Sequence, residues 1–200
     1  MKSKGFTLIE IIIVIAVFSI GIMAVFYLVT NNLERLDETK TRNLATFLAK
    51  EGIELTFNIR DANLIKELER DCVFTEKYIN SIPPNFCDGY FASGLQGKYI
   101  QISFNPNEYS KLIWTGLNTF ENNRLYYHSG NIEGNNIFWY DHNSNNGEKT
   151  IFSRYIVFTG VKENGNILPT DKILKIESHV LFSKGSKTGE VILESFIGNY

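Results

Sequence analysis

Proline is scarce in this chain of 200 residues, and none of its 4 prolines precedes Pro83, so nothing before that point has to break a helix. Charge is missing altogether from one stretch: no Asp, Glu, Lys or Arg stands between Glu10 and Glu34. Cysteine and histidine are few, 2 and 3 residues, and His128, His142 and His179 fall in separate expected elements without a metal-ligand spacing. They read as surface or strand histidines rather than a zinc site. The serines lack a Gly-x-Ser-x-Gly elbow, and there is no glycine-rich phosphate loop. Neither nucleophilic catalysis nor nucleotide binding is therefore expected, and no enzyme activity, cofactor or metal is assigned. The basic residues form no dense block able to follow a phosphate backbone, so nucleic acid is not an expected partner.

What is present suits a folded, membrane-attached protein. Hydrophobic residues make up 44% of the chain and include 15 Phe, 10 Tyr and 2 Trp, while charged residues make up 21%. That is enough apolar surface for one core, and the length fits one ordinary domain with an appended segment. The charge-free run IIIVIAVFSIGIMAVFYLVTNNL is long enough to cross a bilayer, which needs about 20 residues as a helix. Lys2 and Lys4 precede it and Glu34, Asp37 and Glu38 follow it, which puts the N-terminus in the cytoplasm and the bulk of the chain outside.

Three readings compete for this segment. A cleaved secretory signal has an apolar stretch of about 7 to 15 residues, and this run is too long. A plain membrane anchor has no use for Glu10, because a carboxylate well inside a spanning helix costs about 2.5 to 3.5 kcal/mol on insertion scales. The third reading supplies a partner. The string Gly5-Phe6-Thr7-Leu8-Ile9-Glu10 resembles the cleavage and methylation signal of type IV prepilins and of type II secretion pseudopilins. The resemblance implies that a membrane aspartic peptidase cuts between Gly5 and Phe6 and methylates the new Phe6 amine. Glu10 then pairs with the N-terminal ammonium of a neighbouring subunit, since either charge left alone in apolar surroundings is strongly destabilising. Removing residues 1 to 5 takes two lysines away, leaving 18 basic against 22 acidic side chains and a balance of 18 − 22 = −4.

Beyond Asn32 the chain continues as LERLDETKTRNLATFLAKEGIELTFNIRDAN, in which Leu33, Leu36, Leu44, Phe47, Leu48, Leu55 and Ile59 recur at near-helical spacing. One helix from about Phe6 to about Asn58 is expected. Its first half lies in membrane or filament core, and its second half packs on a head. The apolar half lacks the proline carried by many type IV pilins, and only Gly21 offers a weak point, so a locally melted segment is not expected. The stretch around Glu51-Gly52-Ile53-Glu54 and Asn58 to Asp61 also resembles minor type IV pilins; an ordinary amphipathic helix with a solvated charged face is the alternative.

The remainder reads as a head. A short helix or irregular loop is expected from Leu64 to Asp88, because LIKELERD forms helix readily and Pro83-Pro84 stops it. Cys72 and Cys87 flank those prolines and could close a disulfide worth roughly 3 kcal/mol in an oxidising compartment, or remain two reduced thiols. Downstream, KYIQISF, NRLYYHS, NNIFWYD, KTIFSRYIVFTGV, KILKIESHVLFSK and EVILESFIGNY are aromatic and β-branched, separated by Gly, Asn and Pro clusters, and read as strands. The last two form a hairpin. The fold class is α+β: a long N-terminal helix packed on an antiparallel sheet, the pilin layout. Arg154 with the final two strands resembles the end of minor pilins. The segment Asp141 to Glu148 has alternating oxygen ligands like a calcium loop, but its glycine falls one place late and Phe152 stands where a carboxylate is needed, so an Asn/Gly turn is the better reading. Trp114, Tyr126, Tyr127, Phe138, Trp139 and Tyr140 would stack on sugars if exposed, and are read instead as strand residues facing a core.

These readings divide the chain into a leader (1–5), a transmembrane or filament-core helix (6–30), its amphipathic continuation (31–63) and a β-rich head (64–200). The expected function is structural: a subunit of a type IV pilus-like filament, the minor pilins being the nearest resemblance. A pseudopilin of a type II secretion system, an adhesin head displayed on a filament and an uncleaved anchored protein are the alternatives. The partners this implies are the prepilin peptidase and methyltransferase, other pilin subunits, an inner-membrane assembly platform and the membrane itself before assembly. The location is the cytoplasmic membrane first, and then an extracellular filament.

Overall fold

The charge-free run and the proline-free stretch after it form a single helix, α1, Leu8–Ile65, 58 residues long. The helix passes through Gly21 unbroken, as a proline-free sequence allows, and it runs further than the expected end near Asn58. The computed structural model describes residues 7–65, 97, 99–105, 108–114, 119–132, 134–163, 165–168 and 173–198, with the backbone alone at 62–65, 103–105, 108–114, 167 and 198. Two compact units are present, residues up to Asn43 and residues from Leu44 onward.

In the first unit the helix exposes apolar side chains on every side, among them Leu8, Val17, Phe18, Met23, Phe26 and Leu28. The hydroxyls of Ser19 and Thr30 are satisfied internally. Ser19 Oγ donates to the Ile15 carbonyl at 2.7 Å, and Thr30 Oγ1 donates to the carbonyls of Phe26 and Tyr27 at 3.1 and 3.0 Å. Turning polar groups back onto the backbone is what a helix in a water-free medium requires. By length and composition this helix can cross a membrane.

The second unit packs the rest of α1 on a sheet. Ala45, Leu48, Ala49, Gly52, Leu55 and Thr56 are buried at three- and four-residue spacing, so one stripe faces the sheet. The strands are β1 Tyr99–Asn105, β2 Glu108–Trp114, β3 Arg124–Ile132, β4 Asn135–Asp141, β5 Glu148–Gly160, β6 Lys162–Glu163, β7 Asn166–Ile167, β8 Ile173–Lys184 and β9 Lys187–Gly198. All six expected strands form, and β2 and the small β6–β7 pair are additions. EYSKLIW, which becomes β2, starts with a charged residue straight after Asn105-Pro106-Asn107, and its pairing with β1 rather than its composition makes it a strand.

Among the described residues every pairing is antiparallel, and β5 is the hub of a seven-stranded sheet. One edge of β5 carries β8 and then β9. The other edge is shared: β1 pairs at Tyr99↔Val157 and Ile100↔Ile156, and β3 at Arg124↔Ser153 through Tyr127↔Glu148. The central position shows in burial, since Phe152, Ser153, Arg154, Tyr155 and Ile156 are all buried in succession, as a strand covered on both faces must be. In β8, covered on one face, burial alternates strictly, with Leu174, Ile176, Ser178, Val180 and Phe182 inward. Two apolar clusters hold helix to sheet, one around Leu55, Ile156, Phe158 and Ile176, the other around Ala45, Leu48, Leu125, Val180 and Phe182.

Candidate functional site

The helix begins with Thr7 as its cap. The Thr7 carbonyl accepts from the amides of Glu10 at 3.1 Å and Ile11 at 3.3 Å, and the Glu10 carboxylate reaches back to within 3.5 Å of the Thr7 amide and hydroxyl. Thr-x-x-Glu at this spacing is the capping-box pattern, and its carboxylate half forms here, reaching an amide that the helix leaves without a partner. Glu10 therefore has a local role that the sequence reading missed, although the spacing Thr7-Leu8-Ile9-Glu10 was there to be read. The expectation that a simple anchor has no use for Glu10 is corrected to that extent. The box orients the carboxylate at the positive end of the helix dipole without neutralising its charge. Gly5, Phe6, Cys72 and Cys87, which carry the expected processing and disulfide chemistry, lie outside the described residues.

A second site joins helix and sheet. Arg154 projects from β5 toward α1 with its side chain wholly buried. Its Nη1 donates to the Leu48 carbonyl at 3.0 Å and to Glu51 Oε2 at 2.7 Å, and its Nη2 donates to the Ile102 carbonyl of β1 at 3.1 Å. One guanidinium thus ties together the helix, the hub strand and β1, and a planar fork with several donors is the group that can do so. Gly52 makes room for it. A Cβ there would lie 2.8 Å from Ser178 Oγ, 3.0 Å from Ile156 Cδ1 and 3.2 Å from Arg154 Cδ, so the helix can approach only because the side chain is missing. Thr56 Oγ1 returns to the Gly52 carbonyl at 2.9 Å in the same interface. Sequence reading singled out Glu51-Gly52 and Arg154 separately, and the fold brings them together.

His142 lies near this charge. Burial first and the Arg154 charge second push its imidazole down to about 3, against the pull of backbone contacts to Arg124 and Asn123. It is neutral at ordinary pH, with Nδ1 3.2 Å from the Arg124 carbonyl.

On the other face of the β3–β4 ribbon, His128 and Asp141 form a buried pair with Nε2 to Oδ1 at 2.8 Å. The same Nε2 is 3.0 Å from the Asn143 carbonyl, and a nitrogen placed between two acceptors carries the proton. Trp139 stacks on His128 and donates to Asp141 Oδ2 at 3.2 Å. The segment weighed as a calcium loop is a turn built on this pair. The Asn143 amide donates to Asp141 Oδ1 at 2.8 Å, the Asn145 amide donates to Asn143 Oδ1 at 2.9 Å, and Asn146 takes a positive φ of 59°. Gly147 lies against the imidazole, where a Cβ would be 2.6 Å from a ring carbon.

The aromatic residues read as core do not fill it. Tyr126, Tyr127, Trp139 and Tyr140 are half-buried, Phe138 is 63% exposed, and the side chain of Trp114 lies outside the described residues. The reason is register. Strand β3 leaves β5 at Tyr127↔Glu148 but continues along β4 to Ile132↔Asn135, so among the described residues the end of the ribbon pairs with no further strand. Phe138 stacks on Tyr127 at 5.9 Å between centroids, and Tyr140 packs against the core edge.

Residues 1–26 match the model of the prokaryotic N-terminal methylation motif. With the long apolar helix and antiparallel head already described, the match is consistent with a type IV prepilin-like protein of α+β layout. The motif implies a structural subunit that a prepilin peptidase processes and that assembles with other pilins, and the apolar helix fits membrane anchoring. No curated protein and no solved structure matches the chain.

Proposed function

We propose that this protein is a minor subunit of a type IV pilus-like filament, cut between Gly5 and Phe6, methylated on the Phe6 amine, and added to the filament from the cytoplasmic membrane with its head outside. The observation that carries the reading is the methylation motif over residues 1–26 joined to a charge-free helix that opens on Glu10. The Thr7 contact holds that carboxylate at the helix start, four residues along the sequence from where cleavage would create an ammonium. A neighbouring subunit's ammonium can neutralise it in apolar surroundings, and only the matching register does so.

Mass spectrometry of the mature chain tests the reading: a methylated Phe6 at the N-terminus is the expected result, and an intact Met1 or a cut elsewhere refutes it. Glu10→Ala should leave cleavage intact and impair incorporation, and normal incorporation would remove the charge-pairing argument. A pseudopilin of a type II secretion system shares the leader and helix, and a secretion defect with normal piliation on deletion would favour it. The exposed Phe138 with its Tyr127 stack supports a second reading, an adhesin head, which glycan binding lost on Phe138→Ala would support.

A further inference from the structure

Among the described residues strand β9 is an open edge. There it pairs only with β8, in unbroken register from Ile173↔Gly198 to Lys184↔Lys187, without a bulge. Edge strands in natural proteins are usually short, bulged, or interrupted by proline or lysine, because a row of unpaired backbone groups templates further pairing. Here the only lysine is Lys187 at the turn, and no proline is present. The two-residue loop Gly185-Ser186 makes Lys184↔Lys187 a hydrogen-bonded pair, and alternation then points the N–H and C=O groups of Thr188, Glu190, Ile192, Glu194 and Phe196 away from β8.

The side chains of the same five residues cover the sheet face opposite α1. Ile192 and Phe196 are 45% and 55% exposed, and Glu190 and Glu194 alternate with them at 41% and 53%. The carboxylates are held in place, Glu190 by His179 Nδ1 at 2.8 Å and Glu194 by Lys175 Nζ at 2.7 Å. The edge thus offers free backbone hydrogen bonds in register with an acidic, apolar, acidic, apolar row.

We propose that β9 takes an added strand from a different protein, an extended segment with basic side chains four residues apart and apolar ones midway between them. Main-chain bonds to the five open positions supply affinity, and the alternating row selects the sequence. A second copy of this chain does not fit. The antiparallel register that overlaps all five open positions sets Glu190 of each copy against Glu194 of the other, and directly opposed like charges destabilise a pair. The inference does not depend on the filament reading.

The test uses the full-length chain in detergent and the peptide Val-Thr-Lys-Thr-Val-Thr-Lys-Thr, read by binding and by hydrogen exchange. The expected result is saturable binding with new protection at the Glu190, Ile192 and Glu194 amides, and at least tenfold weaker binding of the same peptide with Glu in place of Lys. Ile192→Pro removes a donor that points away from β8, so it should keep the thermal midpoint while weakening binding at least tenfold. The double variant Glu190→Lys, Glu194→Lys should reverse the preference between the two peptides. Absence of protection on β9, equal binding by the proline variant, or an unreversed preference overturns the proposal. So does protection without peptide that grows with chain concentration, which would make a second copy the occupant.

Discussion

Removing the Glu51 carboxylate asks how much of the head's stability depends on one buried charge. Arg154 is fully buried, and its charged partner is Glu51 at 2.7 Å, the remaining acceptors being the Leu48 and Ile102 carbonyls. Glu51→Ala leaves the guanidinium in place with two neutral acceptors. Breaking a buried pair from one side costs about 3 to 5 kcal/mol; because the Glu51 side chain is 33% exposed and water reaches part of it, the lower end, about 3 kcal/mol, is expected. The double variant Glu51→Ala, Arg154→Met removes the stranded charge and should recover part of that loss, since an apolar replacement of a whole buried pair is often neutral. Urea unfolding of the full-length chain in detergent, followed by tryptophan fluorescence and compared at constant m-value, measures both. A Glu51→Ala loss below about 0.5 kcal/mol would refute the argument, as would a double variant whose loss is the sum of the two single losses.

Gly52→Ala should destabilise the head by about 1 to 3 kcal/mol, although alanine is the better helix former, because its Cβ would press on Ser178, Ile156 and Arg154; a gain in thermal midpoint would contradict the close approach. His142, held at about 3 in the folded chain against an ordinary 6.5, binds its proton far more readily unfolded, so it withdraws stability as pH falls from about 6.5 toward 3. The total is a few kcal/mol at most, and a neutral isostere, His142→Asn, should flatten that part of the stability-pH curve. A free-thiol assay on exported protein should find neither Cys72 nor Cys87 reactive, and two titratable thiols would reject the disulfide.

Much was legible from local pattern. The helix followed from missing proline and missing charge, and strands β1, β3, β4, β5, β8 and β9 from β-branched and aromatic runs bounded by turn residues, because those signals report on nearest neighbours along the chain. Glu10 stood out for the same reason: a lone carboxylate beside an uncharged run is visible without any fold. The capping box was equally local and was overlooked.

What tertiary structure alone decided concerns contacts between distant residues. Nothing along the chain says that Arg154 would meet Glu51 and the Leu48 carbonyl, or that Gly52 clears the space between them. Only the packing of α1 on β5 creates that requirement. Aromatic composition could not tell that Phe138 faces outward, because its exposure depends on where β3 parts from β5. The open edge of β9 likewise follows from strand order, which local hydrophobicity does not encode. The sequence by itself determined an apolar, carboxylate-tipped helix followed by strands; the order in which those strands meet the helix determined which side chains the head buries and which it offers to a partner.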